Sequence, residues 1–235
     1  MQQIQLVSVV LLFVLWVVFS IKPVAAAGNG CTSQYEELDA TLDRLLANRH
    51  ETAPSLYDVK LLALEDALFK SFGQCPDEAR LFALMGELQI VLGQPSLAVA
   101  YGNRAVKLDA LSWRGHYVRG TALCLSGQCE SGLESLRHAV GLQPGNAALQ
   151  LNLCSVLVWN SLHQESLPEC TRVIQAGDET VLGQAYYLRS QAHSSLGNAE
   201  QAAADLAQAK YSGFNAKRDT LQIVKPESIP PGVVE

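Results

Sequence analysis

The chain has 235 residues, is 49% hydrophobic and carries a formal net charge of −6 at pH 7. That length supports one substantial domain or a repeat array. An acidic balance without a basic run argues against a nucleic-acid or anionic-lipid surface.

Part of the apolar content lies in residues 4–21, IQLVSVVLLFVLWVVFSI, a run of 18 residues without a charge. Its length suffices for a membrane helix. Lys22 and Pro23 follow, then Val24-Ala25-Ala26-Ala27, in which Ala25 and Ala27 supply the small residues at −3 and −1 of a signal-peptidase site. Residues 1–27 are therefore expected to be a signal peptide cut after Ala27. An uncleaved membrane anchor and a buried helix are the alternatives, because no basic residue precedes the run and its core is slightly long. Cys31 follows closely, but Gly28-Asn29-Gly30 does not resemble the Leu-Ala-Gly of a lipoprotein signal. Loss of residues 1–27 removes one charge, Lys22, and takes the net charge from −6 to −7.

All six cysteines, at 31, 75, 124, 129, 154 and 170, lie beyond this segment. An even number in an exported chain suggests disulfides, and both features together point to an oxidising, extracytoplasmic compartment such as a periplasm.

Residues 31–78 read as a first, divergent helical hairpin, with helices over 35–49 and 56–72 on either side of His50-Glu51-Thr52-Ala53-Pro54. From residue 79 a repeat sets in. Ala79, Trp113, Ala147 and Gly183 open four units spaced 34, 34 and 36 residues apart, spanning 79–112, 113–146, 147–182 and 183–214. The eighth position holds Gly86, Gly120, Cys154 and Ser190, and the twentieth Ala98, Gly132, Ser166 and Ala202. Small residues there let the two helices of a hairpin approach closely. Position 15 holds Gly93, Gly127, Ser161 and Gly197, which suit the turn between helices, and position 27 holds Ala105, Ala139, Val173 and Ala209. Pro144 closes one unit at position 32, and Pro76 stands two periods earlier. Residues 215–224 are expected to form a helix capping the last unit, and 225–235, with Pro226, Pro230, Pro231 and Gly232, an irregular tail.

This pattern resembles the tetratricopeptide repeat (TPR), with LMGELQIVLGQPSLAVAYGNRAVKLD over residues 84–109 the nearest match. The resemblance covers residues 79–214 and extends more weakly over 33–78. It implies an all-α fold, a right-handed superhelical α-solenoid of stacked antiparallel hairpins. Gln89 and His193 stand where the family usually has a bulky residue at position 11, and the third unit lacks glycine at position 8. These departures are expected to loosen or bend the array.

In an antiparallel hairpin, residues equidistant from the turn face one another. Cys124 and Cys129 straddle the turn at Gly127, Cys154 and Cys170 the turn at Ser161, and Cys31 and Cys75 the proposed first turn. Of the 15 pairings that six cysteines allow, this predicts Cys31–Cys75, Cys124–Cys129 and Cys154–Cys170, one clamp per hairpin. The competing reading takes Cys124, Cys154 and Cys170 as small buried apolar residues. Zinc is disfavoured, since His116, His138 and His163 lie near these cysteines without C-x-x-C or paired-histidine spacing.

Catalytic signatures are lacking: there is no G-x-x-x-x-G-K, no H-E-x-x-H and no G-x-S-x-G, so no enzyme activity and no cofactor is expected. His50, His116, His138, His163 and His193 are scattered without a carboxylate at a fixed offset. The resemblance implies instead a concave face lined by the first helix of each unit, at positions 2, 5, 9 and 12 with 6 and 13 nearby. Carried over, these positions include Arg80, Ala83, Glu87, Arg114, Tyr117, Thr121, Leu151, Asn152, Ser155, Trp159, Tyr187 and Gln191. Tyr117, Trp159 and Tyr187 are the expected anchors for a protein or peptide partner, with Arg80 and Arg114 placed to meet a carboxylate. The alternative for the aromatics is packing between neighbouring units. Family members that grip a C-terminal carboxylate use lysine and asparagine on this face; only Asn152 fits that set here, with Ala83 and Glu87 at other positions of it. The expectation is an exported scaffold that binds a protein partner within an envelope assembly, touching membrane only through residues 4–21 if they are not removed. A membrane-tethered structural subunit and an enzyme with a site assembled between repeats are the alternatives.

Overall fold

The computed structural model describes residues 30–49 and 52–214, so the expected signal segment at 1–27, the expected cap at 215–224 and the expected tail at 225–235 lie outside the described residues. Among the described residues there are ten helices and no strand. They are α1 (Gly30–Ala47), α2 (Pro54–Gln74), α3 (Ala79–Val91), α4 (Pro95–Leu108), α5 (Trp113–Leu125), α6 (Cys129–Leu142), α7 (Ala147–Trp159), α8 (His163–Ala176), α9 (Glu179–Ser195) and α10 (Ala199–Tyr211). Consecutive helices pair as five antiparallel hairpins, and odd-numbered helices also pack on one another from hairpin to hairpin. None of these helices is long and apolar enough to cross a membrane.

Local chemistry sets the boundaries. Ser112 and Asn146 accept hydrogen bonds from the Gly115 and Leu149 amides at 3.1 and 3.0 Å, capping α5 and α7. Glu78 and Asp178 do the same for α3 and α9 at 3.3 and 3.0 Å. Pro54 and Pro95 open α2 and α4, where a missing amide proton costs nothing. The last hairpin departs from the spacing of the others. Gly177 ends α8 in the left-handed conformation (φ 70°) and Asp178 caps at once, so α9 begins four residues before Gly183 and runs for 17 residues. The two residues by which its spacing exceeds 34 are absorbed in this added turn. The first hairpin is also larger than the repeat units, with helices of 18 and 21 residues: α1 starts five residues before the expected 35–49 and ends two residues short of it, and α2 overruns the expected 56–72 by two residues at each end.

Position 15 is left-handed in all four units: Gly93 at φ 72°, Gly127 at 80°, Gly197 at 80° and Ser161 at 62°. The turn therefore demands this backbone, and serine accepts the strain that glycine avoids. Within the third hairpin the helices touch backbone to backbone. A Cβ added to Gly120 would lie 2.7 Å from the Gly132 carbonyl oxygen and 2.9 Å from the Leu136 nitrogen, so nothing larger than glycine fits.

The core is a chain of clusters, each shared by adjacent hairpins. Leu38, Leu42, Leu61, Leu64 and Leu68 of the first hairpin meet Leu81, Leu84, Met85 and Leu88 of α3. Leu133 and Leu136 of α6 meet Leu153, Val156 and Leu157 of α7. Leu151 and Val158 of α7 meet Val173 of α8 and Ala185, Leu188 and Ala192 of α9. No hairpin buries its apolar face alone, which is the stabilising logic of a solenoid.

Three disulfides join the six cysteines: Cys31–Cys75, Cys124–Cys129 and Cys154–Cys170, with Cα separations of 5.8, 3.8 and 5.2 Å. These are the pairs that straddle the turns. The first fastens the start of α1 to the C-cap of α2, closing the open end of its hairpin. The third sits wholly inside the core, with Cys154 and Cys170 both 0% exposed.

Candidate partner-binding face

The odd-numbered helices carry every side chain assigned to the concave face, and the structure divides them into two groups. At the N-terminal end the charged residues are already paired within the chain. The Arg114 guanidinium donates to Glu87 through Nε (2.7 Å) and Nη2, and Nη2 also lies 2.7 Å from Asp39 Oδ1. Its Nη1 donates to the Tyr35 hydroxyl, which in turn donates to Asp39 Oδ2 at 3.0 Å. The Arg114 side chain is 13% exposed and those of Glu87 and Asp39 are 16% and 24% exposed. One cation thus joins α1, α3 and α5. Burial alone would weaken the protonated guanidinium, but the Glu87 and Asp39 carboxylates more than offset it and push its pKa above the usual arginine value. Burial likewise pushes the Tyr35 phenol up to about 12, against the pull of Arg114.

Arg80 is held in the same way. Its Nε and Nη2 donate to the Glu78 carboxylate at 2.8 and 2.9 Å, Nη2 also donates to Thr32 Oγ1 at 3.1 Å, and the guanidinium lies 4.8 Å from the Tyr35 ring centroid. Both arginines therefore meet carboxylates of their own chain. Tyr35 and Asp39, which complete this network, were not among the residues singled out from sequence. Their i,i+4 spacing on α1 is readable, but their pairing with Arg114, 79 positions beyond Tyr35, follows only from the stacking of α1, α3 and α5.

Tyr117 is half-buried, packed against Ala98, Val118 and Ala122 on one side and the Cys124–Leu136–Leu157 cluster on the other. Burial pushes its phenol above the ordinary value. Thr121 is 1% exposed and offers no surface to a partner. Ala83, Leu151 and Ser155, also at inner-face positions, are buried at 0%, 6% and 2% exposure. At these positions the inner face consists of contacts between units.

The C-terminal end differs. Asn152 and Trp159, seven residues apart on one side of α7, are both partly exposed. Asn152 Nδ2 donates to the Ala148 carbonyl at 3.1 Å. On α9, Gln191 Nε2 donates to the Tyr187 hydroxyl at 3.1 Å, and the Tyr187 ring rests 5.0 Å from that of Phe214. The α7 sequence, AALQLNLCSVLVW, contains no charged residue. On α9, Arg189 is paired with Asp205 of α10, so the four assigned side chains of this half, Asn152, Trp159, Tyr187 and Gln191, are amides and aromatic rings suited to hydrogen bonding and ring contact rather than ion pairing.

The histidines are dispersed apart from one pair. His116 is 6% exposed, its Nε2 lies 3.0 Å from the Ala110 carbonyl oxygen, and its ring centroid is 4.2 Å from that of His138. Among the described residues no group of three or more His, Cys, Asp or Glu side chains is arranged to hold a metal ion.

No protein-family model and no curated protein matches the chain. Solved structures do. MamA is 18% identical, with 66% of this chain and 89% of that chain covered and a TM-score of 0.56. TTC0263, a thermophilic TPR protein of Thermus thermophilus, is 18% identical over 77% of this chain and 93% of that one, at a TM-score of 0.57. YrrB, a TPR protein described as having an unusual peptide-binding site, is 17% identical over 74% and 93%, at 0.52. At these identities the likeness shows the fold: a TPR-like array of stacked helical hairpins.

Proposed function

We propose that this chain is an exported scaffold that holds an uncharged, extended stretch of a protein partner against the inner faces of α7 and α9. The observation that carries the reading is the contrast between the two halves of the inner face. The charges at α1, α3 and α5 satisfy one another, whereas Asn152, Trp159, Tyr187 and Gln191 leave amide and aromatic surface partly open. Aromatic side chains in a groove bury much area at little entropic cost, and amides register a peptide backbone. The peptide-binding site of YrrB supports this use of the fold. A photo-crosslinking residue placed at Asn152 or Gln191 is expected to capture the partner in cells, and one placed at Phe69, 52% exposed on α2, is expected not to. Capture from Phe69 alone would move the binding face to the outside of the array.

Export rests on residues 4–21 and on three disulfides in a chain with no unpaired cysteine among those described. The mature protein is expected to begin at Gly28, and N-terminal sequencing checks this. A start at Met1 on membrane-bound protein would favour the tethered structural subunit.

A further inference from the structure

The three disulfides are not equivalent, and the one at the third turn alone combines three features, the first shared with Cys154–Cys170, whose turn has the same backbone bonds at Leu162, Ser161 and Asn160. First, it is redundant for the turn it spans. Between α5 and α6 the Gln128 amide donates to the Leu123 carbonyl at 2.8 Å, Gly127 to Cys124 at 3.1 Å and Ser126 to Ala122 at 3.0 Å. The same three bonds recur at Gln94, Gly93 and Leu92, and again at Asn198, Gly197 and Leu196, in hairpins that carry no cysteine. The left-handed residue at the centre is likewise common to all. Second, Cys124 and Cys129 are only five residues apart, against 44 and 16 for the other pairs, so opening this bond releases the least chain. Third, its sulfurs are placed for exchange. Cys129 is partly exposed as the first residue of α6, whose N-cap Gln128 makes no side-chain capping bond, while Cys154 and Cys170 are fully buried and Cys31, partly exposed in the first turn of α1, belongs to the bond that closes the longest loop. Amides at a helix start favour a thiolate there. Cys124 Sγ lies 3.5 Å from the Cys129 carbonyl oxygen, an acceptor ready for the thiol that reduction creates.

We infer that Cys124–Cys129 is a thiol-exchange site, a dithiol that cycles with external thiols while the array stays folded. An external thiolate attacks Cys129 Sγ, the Cys124–Cys129 bond breaks, and its electron pair leaves on Cys124 Sγ, which takes up a proton. A second external thiolate attacks the external sulfur of the mixed disulfide and releases Cys129 as a thiolate. In total two external thiols become one external disulfide, and the protein disulfide becomes two thiols. The inference is independent of the groove assigned above.

The test exposes the full chain to reduced glutathione for graded times, alkylates the free thiols and maps them by peptide mass, with helicity followed in parallel. Cys124 and Cys129 are expected to label at least about tenfold faster than Cys154 and Cys170, because an external thiolate reaches the partly exposed Cys129 but neither fully buried sulfur, while helicity is unchanged. In Cys124→Ser, oxidised glutathione is expected to add to Cys129; in Cys129→Ser, addition to the buried Cys124 is expected to be slower. Labelling of Cys31 and Cys75 before Cys124 and Cys129, all three bonds opening together, or helicity falling in step with labelling of Cys124 and Cys129 would each overturn the assignment.

Discussion

Arg114→Leu is expected to lower the unfolding free energy by about 3–5 kcal/mol, because it leaves Glu87 and Asp39 buried without their cation. For a chain of this size that corresponds to a fall in Tm of roughly 6–20 °C. The paired variant Arg114→Leu with Glu87→Leu is expected to recover part of the loss, since it removes the more buried of the two stranded carboxylates and leaves only Asp39, the more exposed one, without its cation. Arg80 supplies the control. Its side chain is 41% exposed and its pair with Glu78 is screened by water, so Arg80→Leu should cost no more than about 1 kcal/mol. Urea unfolding of the four proteins reads the difference. Equal losses from the Arg114 and Arg80 single variants would show that the three-helix network contributes nothing special. Hydrogen exchange adds a local readout: α1, tied by Tyr35 and Asp39, should lose protection before α9, because stability in a repeat array is passed between neighbours.

The all-helical repeat was legible because it rests on local rules that recur. Small residues at positions 8 and 20 mark close helix approach, and the contact of Gly120 with Gly132 is that rule in atoms. The disulfide pairs were legible for a related reason, since an antiparallel hairpin converts sequence distance from a turn into spatial opposition. Less legible was how the inner face divides its residues between binding and packing. Thr121 and Tyr117 occupy the same register positions as Gln191 and Tyr187, yet Thr121 is buried and Gln191 is partly exposed. The register says which side of a helix a residue is on. Whether the neighbouring hairpin then covers it depends on side-chain size and on stacking, which no single unit encodes. The Arg114 network escaped for the same reason: Tyr35 and Asp39 lie in the divergent hairpin, where the repeat gives no position numbers to compare.

Replacing Cys31 and Cys75 with serine is expected to have the other large effect. Constraining the unfolded chain over 44 residues contributes about 4 kcal/mol by loop entropy, against roughly 3 for the 16-residue separation of Cys154–Cys170 and roughly 2 for the five-residue separation of Cys124–Cys129. Denaturant midpoints of the three double-serine variants should therefore fall in that order. A Cys124→Ser, Cys129→Ser protein as unstable as the Cys31→Ser, Cys75→Ser protein would refute the loop-length account. The location of the damage follows from the position of the first hairpin. Among the described residues it has a neighbour on one side only, and its two ends are closed by this bond. Its loss should fray α1 and α2 while α5 to α10 keep their exchange protection. Because Arg114 and Cys31–Cys75 both hold α1 in place, their losses should not add. Once α1 has detached in the serine variant, the Arg114 network has already come apart, and adding Arg114→Leu should cost clearly less than it does in the intact protein. Additive losses would mean that α1 stays docked without its disulfide, and that the buried network alone anchors the first hairpin to the array.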